Sequence, residues 1–185
     1  AALNTNQIAN LATNDVAALT SAQIVGLTSD QLVAMTTLQI SSLTTAQVAA
    51  IETIDFAAMQ TTDLQALTTA QVAAITSRQL GGMTTNQIAN LETADIAALT
   101  STALDGMTTL QIQAFTTDQI RGFTSAQVAS MSTAQVAAIL TTQLQAMTTA
   151  QFGPYDIPWL DGGNRGGPTA TNWGTAQDTT AAWGP

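Results

Sequence analysis

An eight-residue unit, repeated nineteen times from Leu3 without one insertion, constrains this chain more than any other feature. Numbered from its large apolar residue, the unit reads L-T-T-x-Q-V-A-A. Position 1 recurs from Leu3 and Leu11 to Ile139 and Met147, always eight residues apart. Position 6 is apolar in every unit, from Ile8 to Phe152, and position 3 is Ser or Thr throughout, from Thr5 to Thr149. Position 5 is Gln or Asp in every unit but the one carrying Ala103, and position 8 is small or Asn until Pro154. A continuous α-helix does not fit, because eight residues advance about 800° and the apolar positions drift by about 80° per unit. A strand does not fit either: positions 1 and 6 have opposite parity and would face opposite sides.

One short helix per unit does fit. Thr at position 2 with Gln at position 5 forms a capping box, with the apolar residues at positions 1 and 6 as its hydrophobic staple. Ala at positions 7 and 8 favours the helical turn. Position 2 is Thr or Ser in only thirteen units, whereas position 3 never varies, so two registers stay open, with the cap at position 2 or at position 3. Where position 5 is Asp (Asp15, Asp55, Asp63, Asp95), position 2 is Ala12, Glu52, Gln60 or Glu92; acidic residues suit the positive end of a helix.

A lone helical turn is unstable in water, so the units must stack. The expected fold is an all-α solenoid of very short helices, one per repeat, over residues 1–152. Its core is formed by positions 1 and 6, and small residues at position 8 admit close backbone approach. A similarity between Leu43–Met59 and Met83–Leu99, five units apart, fits either a duplicated block or five units per superhelical turn.

At residue 153 the composition changes. The last 33 residues hold all four prolines, all three tryptophans and the only tyrosine. Prolines exclude a long helix here, so residues 153–185 form an irregular Gly/Pro/Trp-rich tail. Its expected anchors are Phe152, Tyr155, Trp159, Trp173 and Trp183, since Trp and Tyr dominate binding hot spots. The tail either caps its own solenoid or docks on a neighbouring subunit. Position 4 varies most and should be exposed; Leu38, Ile54 and Leu110 are apolar there and are candidates for lateral contacts.

Composition removes most chemistry. With no His or Cys there is no triad or dyad of the usual kinds, no thiolate chemistry and no disulfide; with no Lys there is no Schiff base. No phosphate loop, dinucleotide fingerprint or zinc spacing occurs. The pairs Glu52/Asp55 and Glu92/Asp95 read as helix starts rather than acid/base pairs, and Asp161–Asn164 as a turn rather than a calcium loop. The reading is therefore of a protein that is not an enzyme, with no cofactor and no metal. The net charge of -9 with only three arginines argues against nucleic-acid and anionic-membrane partners, and no apolar run is long enough to span a bilayer. Ala1 and Ala2 stand where the last two residues of a unit should be. A mature protein cut after small residues by signal peptidase would begin that way, as would an expression fragment.

The octad, from Leu3 to Phe152, resembles tandem repeats in secreted and cell-surface proteins of Gram-negative bacteria, including ones likened to extracellular fibre subunits. The resemblance implies an exported structural protein, secreted or at the cell surface, and brings no catalytic residues. The leading expectation is a self-assembling extracellular filament or matrix subunit whose partners are copies of itself. The alternatives are a Ser/Thr hydroxyl array that binds ice or a surface glycan, and a stalk within a larger adhesin.

Overall fold

A computed structural model describes residues 3–152. These form eighteen α-helices of four to six residues, α1 (Thr5–Ala9) through α18 (Thr141–Ala146), and a closing 3-10 turn, Thr149–Phe152. Each unit holds one helix, and there is no strand among the described residues.

The cap falls at position 2. Asn4, Ser132 and every position 2 threonine from Thr20 to Thr124 sit in extended backbone and accept the N–H of position 5. The position 5 glutamine answers with Oε1, as in Thr44 N–H to Gln47 Oε1 at 2.6 Å. Ala12, Glu52 and Leu140 occupy the same cap with the same extended backbone, although their own side chains accept no hydrogen bond there. Position 3 is thus the first helical residue in every unit. The backbone register survives loss of the cap side chain because tertiary packing, not capping alone, holds it.

Each helix packs on the third one after it: α4 (Ser29–Val33) on α7 (Thr53–Ala58), α7 on α10 (Ser77–Gly82), and α10 on α13 (Ser101–Leu104). Hydrogen bonds between successive coils recur at a separation of 28 residues, three and a half units. The solenoid therefore does not turn once in five units. The five-unit sequence similarity has no counterpart in the coil.

Positions 1 and 6 make one continuous apolar core. Position 6 is buried from Ile8 to Ile120 and position 1 from Met35 to Phe123. Two adjacent position 1 residues, Phe115 and Phe123, meet edge to face with ring centroids 5.0 Å apart, an arrangement worth about 1 kcal/mol beyond area burial. Small residues at position 8 do admit close approach. A Cβ on Gly82 or Gly122 would fall 2.5 or 2.6 Å from the methyl of Thr53 or Thr93, each a position 3 residue of the preceding coil.

Candidate functional site

Position 5 carries the feature that capping logic misses. A cap uses only the acceptor of the glutamine amide; the –NH₂ group needs its own partners. All twelve position 5 glutamines from Gln31 to Gln151 reach back across the coil boundary. Each donates to the carbonyl of a position 1 residue 28 residues earlier. Ten of them also reach the position 6 carbonyl 31 residues earlier; Gln79, for example, bonds Ile51 O and Val48 O, both at 2.8 Å. One side chain thus starts its own helix and ties two preceding helices to it. These glutamines are buried, yet no buried side-chain N or O atom among the described residues lacks a partner. The sequence signal was available: Gln at fourteen of nineteen position 5 sites is more amide than capping alone requires.

The aspartates have no amide to offer. Asp55 accepts from Ser29 of the preceding coil. Asp63 and Asp95 are buried and accept only the cap N–H of Gln60 and Glu92, at 3.2 and 3.4 Å. Burial pushes both carboxyls above their ordinary range, the cap N–H pulls them back in part, and the Glu92 charge adds to the rise at Asp95. A raised carboxyl favours its neutral form in the folded chain, so its stabilising contribution is complete below about pH 4 and is lost as pH rises through the raised value. Asp63→Asn with Asp95→Asn should therefore raise the melting temperature at neutral pH and change it little near pH 4. The exposed substitution Asp118→Asn should do neither; if all three variants show the same pH profile, burial is not what shifts these groups.

The pairs Glu52/Asp55 and Glu92/Asp95 stand at helix starts, as read from the sequence, each Glu at the cap and each Asp in the first turn. Glu52 and Glu92 are exposed while Asp55 and Asp95 point into the coil interface. Among the described residues, no group of three or more His, Cys, Asp or Glu could hold a metal, and no helix is long and apolar enough to cross a membrane. Leu38, Ile54 and Leu110 are exposed, at 72, 72 and 67%. By register, Ile54 and Leu110 lie seven units apart, two 28-residue turns, and so fall on one side; Leu38, two units before Ile54, falls on the other. Tyr155, Trp159, Trp173 and Trp183 lie outside the described residues, as does the Asp161–Asn164 turn; Phe152 ends the final 3-10 turn.

Burial changes toward both limits of the described residues. Toward residue 3, position 6 stays sealed but position 1 does not: Leu3 is 41% exposed and Leu11, Leu19 and Leu27 are half-buried. Toward residue 152 both positions open: at position 6 Val136 is 47% exposed and Val128 half-buried, and at position 1 Met131, Ile139 and Met147 are half-buried.

An uninterrupted run of capped one-turn units, tied by buried amides and without a convergent set of reactive groups among the described residues, defines a helical solenoid of the structural repeat class. The chain belongs to the ALTTAQ repeat family, whose model matches residues 1–29, 8–45, 56–91 and 88–125, more than half of its length. No curated protein and no solved structure matches it.

Proposed function

We propose that the protein is the structural subunit of a self-assembling extracellular filament or matrix, and not an enzyme. The observation that carries this reading is the uninterrupted solenoid itself, one short helix per eight-residue unit stacked around one continuous core among the described residues. A solenoid turns one face to the coil before and a different one to the coil after, so contacts between copies along its axis are heterologous, and heterologous contacts that do not close generate filaments. An eight-residue unit without insertions leaves no loops on which to build a reactive site. In this reading the rod supplies length and the aromatic tail docks on a neighbouring subunit. With no lysine and three arginines the chain offers trypsin few cuts, which suits an exported material, secreted or at the cell surface.

Electron microscopy and sedimentation of the purified chain test this directly. Filaments or multimers that lengthen with concentration are expected; monodisperse monomers at high concentration overturn it. One observation favours a second reading, a hydroxyl array that binds polysaccharide or ice. The position 3 hydroxyls are not consumed by capping, and Ser29 alone of them donates a hydrogen bond from its hydroxyl among the described residues. A glycan-array or thermal-hysteresis signal that disappears on position 3 Thr→Val substitution would support it.

A further inference from the structure

We propose that two copies of this chain pair side by side and antiparallel, along one line of the solenoid surface where exposed Ile54 and Leu110 alternate with Gly26 and Gly82. This goes beyond the filament reading above, which concerns contacts along the axis, and it stands or falls without it.

Positions 2 and 4 point outward. Each is exposed in all nineteen units, from Asn4 to Thr148 and from Asn6 to Ala150. Only four of these outward sites carry a large apolar residue: Leu38, Ile54, Leu110 and Leu140. With a return of 28 residues, Leu110 lies two turns after Ile54, and Leu140 lies two residues past one further turn. Three of the four therefore share one side, and Leu38 stands apart from them. Exposed apolar side chains gathered on one side mark a contact surface.

Position 8 completes the line. Because 28 residues are three and a half units, a position 4 residue is followed one turn later by a position 8 residue. Gly26, Ile54, Gly82 and Leu110 succeed one another at this interval. Gly26 is exposed and Gly82 half-buried, so the line alternates hollows with large apolar side chains. The hollow at Gly82 is built into the coil packing, since a Cβ there would collide with the Thr53 methyl.

Such a line fits a reversed copy of itself. Laid antiparallel with Ile54 over the partner's Gly82, it sets Leu110 over the partner's Gly26 about the same centre. Every apolar side chain then enters a hollow, and the contact is isologous and closes as a dimer. A parallel copy in register would stack Ile54 on the partner's Ile54 and leave the hollows empty, which close packing disfavours. Charge favours the same direction. Glu52, Ile54 and Arg78 line one groove beside the line, and Arg78 has no carboxylate within ion-pair distance among the described residues. By position in the turn, the antiparallel register brings Arg78 beside the partner's Glu52, twice per dimer; the parallel one brings it to the partner's Asn86.

Sedimentation equilibrium and cross-linking of the full chain test the pairing. Ile54→Asp with Leu110→Asp should weaken it about tenfold or more and leave the helical signal intact, because both sites are exposed and lie in the first helical turn. Leu38→Asp should leave it unchanged. The chain has no cysteine, so disulfides read the register directly. Gly26→Cys with Leu110→Cys, oxidised under mild conditions, should give a covalent dimer and nothing longer on a denaturing gel, whereas Ile54→Cys alone should give none. Dimers from Ile54→Cys alone would show a parallel contact and overturn the antiparallel one. Filaments whose width is the same with and without Ile54→Asp and Leu110→Asp would overturn the pairing and leave the filament reading standing; dimers that never lengthen would do the reverse. A parent chain monomeric at every concentration would sink both.

Discussion

Replacing Gln79 by glutamate should destabilise the solenoid by about 3–5 kcal/mol at neutral pH, a range set by leaving a buried charge without a partner. Gln79 is 1% exposed. Its Oε1 accepts the Thr76 N–H at 2.8 Å, and its Nε2 donates to Val48 O and Ile51 O at 2.8 Å each. Glutamate keeps the shape and the cap acceptor but turns the donor into a second carboxylate oxygen facing two carbonyl oxygens. Desolvation and that opposition raise its folded pKa, so the deficit grows as pH rises through the raised value and shrinks on acidification, when a protonated carboxyl returns one donor. Gln79→Met, which loses the bonds without adding a charge, should cost less and show no such recovery. Solenoids unfold by neighbouring units, so amide hydrogen exchange should quicken first around residues 48–51 and 76–79. A Gln79→Glu chain that melts like the parent at neutral pH would show that the amide bonds between coils do not hold the rod together.

Gly106→Ala should be the most damaging methyl group that can be added to this chain. A Cβ on Gly106 would fall 1.9 Å from the carbonyl oxygen of Ser77, a backbone atom of the preceding coil, and the neighbouring carbonyl carbon and Cα are both within 3.0 Å. No side chain can swing aside, so α10 and α13 must separate, and overpacking of this kind costs about 3 kcal/mol or more. Gly26→Ala is the matched control. Gly26 has ordinary helical backbone, with φ -83°, and the nearest atoms to its added Cβ are 3.6 Å away. Alanine there restricts only the unfolded chain and should stabilise by about 0.4–1 kcal/mol. Denaturant midpoints of the two variants should therefore move in opposite directions; equal shifts would show that the coils are not in backbone contact at Ser77.

Much of this fold was legible because each unit carries its own local instructions. The capping box, the staple pair and the alanines act within eight residues, so one helix per unit and a core of positions 1 and 6 follow from Leu3–Asn10 as well as from any later unit. The choice between caps at positions 2 and 3 was less legible. Ala12, Glu52 and Leu140 cap poorly as side chains, and only packing of the flanking residues holds them in the same extended backbone. The candidate site was legible in part. The exposed Leu38, Ile54 and Leu110 follow from a variable position 4, but which of them share a side depends on the coil.

The helices, their starts and the composition of the core are written into each unit, because capping, staples and helix propensity operate over three to five residues. How the units close into coils is set by packing between them. A 28-residue return, rather than a five-unit one, is set by where a glutamine amide finds two carbonyls and by where Gly106 and Gly122 let backbones touch. Those partners lie 25 to 31 residues apart in sequence, beyond the reach of any pattern within one unit.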